Sequence, residues 1–122
     1  MTKTQNSKQC DLEDRTLEYS KRIIKMCKTL PKNNINYWLS DQCIRSRISM
    51  GANYREANET KTKKDFQSRI RICRKEGKET AYWLKLIVDA NPEYNKRIKP
   101  LLKETGEFVN IFAAILEEQN KF

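Results

Sequence analysis

The chain reads as an all-α protein, an antiparallel up-down-up-down four-helix bundle. Three observations lead there. Apolar residues recur at helical spacing in four separate stretches, in steps of four and three in the first and last, the pattern that lines one side of a helix. Three glycines and three prolines leave little turn chemistry for a β fold. The breaks between the stretches span only a few residues, and short connections make neighbouring helices antiparallel. At 122 residues the chain is one domain, assigned to 11–122, with a loose polar tail over 1–10.

The first helix is expected from Asp11, which caps it, with Asp14 in the first turn favouring the helix dipole. Its buried seam is Leu12, Thr16, Tyr19, Ile23, Met26 and Leu30, and Pro31 ends it. Asn33 or Asn34 caps the second helix, which runs to about Ala57. Its apolar stripe is Ile35, Leu39, Cys43, Met50 and Ala57, interrupted by Ser46 and Asn53.

Asn58 to Lys61 is the next break. Thr62 and Asp65 are spaced as a capping pair for the third helix. Phe66, Ile70, Cys73, Gly77, Thr80 or Ala81, Leu84 and Ile87 form its seam. Gly77 inside a helix costs about 1 kcal/mol relative to Ala, which a close helix–helix contact would justify. Asn91-Pro92 closes this helix and opens the next. There Tyr94, Ile98, Leu101, Thr105, Phe108, Phe112 and Ile115 repeat the four–three spacing, and Pro100 either kinks the helix or marks its start.

Charged residues make up 34 % of the chain and mean hydropathy is −0.87, values of a well-solvated helical protein. No apolar run approaches the roughly 20 residues of a membrane span, and the N-terminus MTKTQNSKQC has no apolar centre of a signal peptide. The four cysteines, Cys10, Cys27, Cys43 and Cys73, form no C-x-x-C pair, and histidine is absent. They read as reduced thiols, with Cys27, Cys43 and Cys73 near apolar helical positions where a thiol acts as a small hydrophobe. This fits a cytoplasmic protein without a metal.

Catalysis has little to stand on. The usual general base is missing. Gly51, Gly77 and Gly106 are isolated and form no phosphate loop, and Ser46 and Ser49 have no base beside them. Glu56, Glu76 and Glu79 could pair as carboxylates, but a di-metal bundle wants Glu-x-x-His. The expectation is a protein that is not an enzyme and carries no cofactor.

Polar residues stand where a plain bundle would place apolar ones. Arg45, Ser49, Asn53 and Glu56 share one face of the second helix, at spacings of four, four and three. On the third, Lys75, Glu76, Glu79 and Thr80 surround Gly77. Two readings follow. Arg45, Ser49, Asn53, Glu56 and Glu79 form a satisfied network that fixes the register of the two helices, or part of the block opens to a ligand. Arg45 is the candidate partner of Glu79.

This block resembles the bacterial four-helix-bundle family encoded in intervening sequences of large-subunit ribosomal RNA genes. More distantly it is similar to the accessory variability determinants of diversity-generating retroelements. The matching pieces are Gln42, Arg45-Ser46, Ser49, Gly51-Ala52-Asn53, Glu56-Ala57, Lys64-Asp65-Phe66, Lys75-Glu76, Glu79-Thr80 and Tyr82-Trp83-Leu84. The resemblance spans Asp11 to Leu116, and it is the ordered set that is specific. Arg47 and Met50 depart from the smaller or more neutral residues expected beside Ser46 and Ser49, an effect placed on the fine packing of the second helix. The resemblance implies a homopentameric ring and, through its retroelement branch, service as an accessory protein to a reverse transcriptase.

The basic residues point to a partner. A net charge of +9 and a pI near 9.5 favour a polyanion. From Lys61 to Lys78 eight basic residues face Asp65 and Glu76 alone. Lys64, Arg71, Lys75, Lys78 and Lys85 follow one helical face, with Arg74 beside them. Lys21, Lys25, Lys28 and Lys32 make a second stripe on the first helix. Phosphate recognition needs such charges along a rod and no base contacts. The stripes hold few aromatics, so base stacking is not expected. Trp38, Tyr82 and Trp83, just off the seams, suit either a cap on the core or subunit contacts within a ring. The function expected is a basic homopentameric scaffold binding RNA or DNA. The alternative is a protein-interaction module that touches no nucleic acid.

Overall fold

The computed structural model describes residues 3–120, with side chains over 11–120. Four helices follow one another: α1 (Lys3–Thr29), α2 (Asn34–Asn58), α3 (Lys63–Ala90) and α4 (Asn95–Asn120), with a single 3₁₀ turn, Pro92–Tyr94, before α4. No strand occurs among the described residues. Side-chain pairs fix the directions. Asn36 meets Asn91, Ser46 meets Thr80 and Asn53 meets Arg69, so α2 and α3 are antiparallel. Gln67 meets Asn120 and Gly77 meets Val109 across α3 and α4. Tyr19 reaches Leu101, and Tyr94 reaches Thr29, which closes α4 back onto α1. The result is the expected up-down-up-down bundle, with α1 diagonal to α3.

The caps explain most of the boundaries. Asn33, in extended conformation, accepts from the Asn36 backbone N–H at 2.8 Å and starts α2. Thr62 accepts from the Asp65 N–H at 3.1 Å and starts α3. The first helix differs from expectation. It begins at Lys3, so Asp11 lies inside it and caps nothing, and the backbone of 3–10 is helical. Pro100 lies inside α4, exposed, and the helix starts before it at Asn95.

The core holds Tyr19, Ile23, Met26, Cys43, Ile70, Leu84, Ile98, Phe108 and Phe112, all nearly or fully buried. Each such large side chain contributes about 1.5–3 kcal/mol by leaving water. Two seam positions shift by one residue. Ile35 is exposed and the buried position is Asn36; on α4 Leu116 is buried where Ile115 is only half so. Asn36 is tolerated because its amide exchanges two hydrogen bonds with Asn91, at 2.8 and 3.0 Å, and donates a third to the Pro31 carbonyl. Thr80, not Ala81, takes the buried position on α3. Gly77 earns its place by close packing. A Cβ there would stand 2.9 Å from Val109 Cγ2.

Arg47 reaches well beyond the fine packing of α2. It is 1 % exposed, the largest fully buried side chain among the described residues. Its guanidinium lies between the Tyr19 and Phe108 rings, 4.5 and 5.2 Å from their centroids, and donates to the Thr16 carbonyl at 2.7 Å. One side chain of α2 thus joins α1 and α4. Burial pushes its pKa down to about 10, so it remains a cation at neutral pH.

Candidate nucleic-acid interface

The apolar seam of α3 faces the bundle centre, so residues half a turn away face solvent. Lys64, Arg71, Lys75, Lys78 and Lys85 are all exposed there, and Arg74 stands on the α4 side. From Lys64 to Lys78 the line runs about 21 Å at 1.5 Å per residue. Arg71, Arg74, Lys75 and Lys78 line a shallow groove of about 440 Å³ in which Glu79 is the one acidic side chain. Four cations around one depression produce a positive potential suited to phosphate oxygens.

Lys21, Lys25, Lys28 and Lys32 are exposed as well. Because α1 is diagonal to α3, the two stripes face opposite sides of the bundle and do not combine into one surface. The α1 stripe is also partly neutralised, because Lys21 pairs with Glu18 at 3.1 Å. The α3 stripe is the stronger of the two.

The polar block does not form the buried network expected of it. Arg45 and Glu56 are exposed, and Ser49, Asn53 and Glu79 are half-buried. Arg45 donates to Gln42 at 2.9 Å, and among the described residues no ion pair joins it to Glu79. Asn53 donates to the Ser49 carbonyl and accepts from Arg69. The physical reason is rotation. These α2 residues sit on the solvent edge of the α2–α3 contact, while their neighbours Ser46 and Arg47 point inward. The buried register contacts are Ser46 with Thr80 at 3.0 Å and the Asn36–Asn91 pair. Glu76, next to this edge, is 7 % exposed, and its Oε2 is buried without a hydrogen-bond partner. Burial first, and the nearby Glu79 carboxylate second, lift its pKa above the usual carboxylate range.

Trp38, Trp83 and Tyr82 form one aromatic cluster across the outer edge of α2 and α3. The Trp38–Trp83 and Trp83–Tyr82 centroids are 5.4 and 5.2 Å apart. Trp38 and Tyr82 are more than half exposed, and Trp83 is half-buried against the core. Tyr82 falls three and four residues from Lys85 and Lys78 on α3, in line with the basic stripe. That alignment was available in the 71, 75, 78, 82 spacing and is easily missed when the aromatics are read only against the seam.

Among the described residues no cluster of Cys, Asp or Glu is arranged to hold a metal ion, and no helix is long and apolar enough to cross a membrane. Cys27, Cys43 and Cys73 are free and buried; the side chain of Cys10 lies outside the described residues.

The fold and sequence have known counterparts. A solved structure from Bacteroides thetaiotaomicron, a protein of unknown function from the S23 ribosomal protein family, matches with a TM-score of 0.78. The two are 30 % identical, over 85 % of this chain and 96 % of that one. No curated protein matches the chain. The family model for the 23S rRNA-intervening sequence protein matches residues 8–114. With nearly its whole length matched, the chain belongs to the 23S rRNA-intervening sequence protein family.

Proposed function

We propose that this protein is a non-enzymatic, cytoplasmic scaffold that binds RNA or DNA through the outward face of α3 and assembles as a homopentameric ring. The observation that carries the binding is the groove lined by Arg71, Arg74, Lys75 and Lys78 on a helix face with Lys64 and Lys85 at its ends. Lysine and arginine along a rod neutralise successive phosphates, and each contact releases condensed counterion. Binding is therefore mostly electrostatic and weakly sequence-specific. Assembly is supported by Ile35, Trp38 and Tyr82, large apolar side chains more than half exposed on the neighbouring edge. A ring multiplies the stripe and raises avidity.

Service as an accessory to a reverse transcriptase is the narrower form of this proposal. It rests on the retroelement resemblance, and an adjacent reverse-transcriptase gene with a template repeat tests it. The second reading, an interaction module without nucleic-acid contact, is favoured by the Trp38–Trp83–Tyr82 cluster alone. Fluorescence anisotropy of labelled RNA and duplex DNA at low salt separates the two: no binding of either leaves the interaction module. Light scattering at micromolar protein tests the ring, and a monomer mass removes it.

A further inference from the structure

We propose that the cleft between α1 and α2 receives the Trp38–Tyr82 edge of a second copy of this chain, so that copies join head to tail. This rests on the self-association proposed above and names the surface that completes it. The cleft holds about 470 Å³ and runs between Leu17 and Ile24 of α1 and Ile48 of α2. Gly51 and Ala52 are too small to fill it, and a Cβ at Gly51 would stand 3.8 Å from Thr16 Oγ1, so the facing helix forms the floor. Leu17 and Ile48 line the cleft and are still more than half exposed. Large apolar side chains gathered around one depression mark a contact site, which the same residues scattered singly would not.

The chain itself carries the matching surface. Trp38 and Tyr82, also more than half exposed, project from the other side of α2, where Trp38 meets Trp83 of α3. They cannot fill their own cleft, because α2 stands between. A projection and a cleft at different places on one molecule make a heterologous contact, in which each copy gives one surface and receives the other. Because α2 forms the corner between the two surfaces, each added copy turns the assembly, as a closed ring requires. The rims are complementary. Glu13 and Asp14 outweigh Arg55 at the Leu17 end of the cleft, and Lys21 is already held by Glu18. Around the aromatic pair Arg45, Lys78 and Lys85 outnumber Asp41 and Glu79. Rim charges steer the encounter, whereas desolvated aromatic and aliphatic side chains hold the contact.

The test mixes two variants and reads mass by light scattering at micromolar concentration. Wild type should be an oligomer. Trp38→Ala/Tyr82→Ala loses the projection, and Leu17→Lys/Ile48→Lys loses the cleft. Each alone should fall to the 14.5 kDa of one chain, with helicity by circular dichroism unchanged. Mixed in equal amounts they should form a dimer of one copy of each and nothing larger, because the first keeps its cleft and the second its projection. Ala52→Arg fills the cleft from an exposed position. It should behave as the Leu17→Lys/Ile48→Lys variant does, and it replaces that variant if the latter fails to fold. A monomeric wild type would remove self-association and this contact with it. An oligomeric wild type whose variants stay assembled, or variants that are monomeric apart and remain so when mixed, would overturn the contact and leave self-association standing.

Discussion

The Arg47 guanidinium lies 4.5 Å from the centre of the Tyr19 ring while donating to the carbonyl of Thr16, one turn earlier on α1. Its Nε and Nη1 are buried without hydrogen-bond partners. The residue therefore fills volume and meets aromatic faces, but leaves donors unpaired. Replacement by Ala should cost about 3–5 kcal/mol, as for other large core truncations. Replacement by Met keeps most of the volume and removes a buried charge, and should be within about 1 kcal/mol of wild type or more stable. The Thr16 carbonyl still accepts from Ser20. Urea denaturation of both variants decides. Equal losses would mean that the cation–ring contacts, not the volume, hold the site.

The Asn36–Asn91 pair should behave as a unit. Either Ala substitution strands the other amide in a buried place, at a cost of about 1–3 kcal/mol. The double substitution removes both and should cost clearly less than the sum. A double-mutant cycle in denaturant measures this, and additive losses would show that the two amides are satisfied separately.

The glycines of α3 and α4 predict opposite outcomes for one substitution. Gly77→Ala gains helix propensity but drives its Cβ to 2.9 Å from Val109 and 3.4 Å from Met50. Overpacking of this kind costs about 1–3 kcal/mol, so the melting temperature should fall. Gly106→Ala meets nothing within 4 Å and should stabilise by up to about 1 kcal/mol. Thermal melts of the two side by side test the packing of α3 against α4.

Glu76 gives a pH signature. Its pKa is raised in the folded state, so over the window between its unfolded and folded values the native protein holds the extra proton. Its contribution is complete at acid pH and is lost as pH rises through the folded value. Glu76→Gln removes the ionisation. The variant should melt higher than wild type at pH 7, with the difference shrinking towards pH 4. A pH-independent difference would place the effect in packing.

Much of the fold was legible because the four–three periodicity and the caps at Asn33 and Thr62 act locally. The misreadings arise where tertiary contacts choose between adjacent residues. Asn36 outcompetes Ile35 for a buried position because Asn91 is there to bond it. Arg47 follows the same stripe as Cys43, Met50 and Tyr54, but a charged residue on a seam is readable as buried only once two aromatic rings are known to receive it. The polar block was visible as a face, yet whether that face points inward depends on a small rotation of α2 that periodicity leaves open. The basic stripe of α3 was readable in full, since exposed charge opposite a clean seam has one place to go.

That stripe holds the central claim, and a salt titration of Arg71→Gln/Lys75→Gln/Lys78→Gln against wild type tests it most directly. The triple variant keeps helix-compatible side chains and removes three charges from the groove. Binding of labelled RNA and duplex DNA, read by fluorescence anisotropy from low to physiological salt, should weaken for both ligands. The slope of log affinity against log salt should become shallower, by up to roughly one unit per lost phosphate contact. Oligomer mass and melting temperature should change little. A triple variant that binds as tightly as wild type, with the same salt slope, would contradict the account and move the contact to the Lys21, Lys25, Lys28 and Lys32 stripe on the opposite side of the bundle.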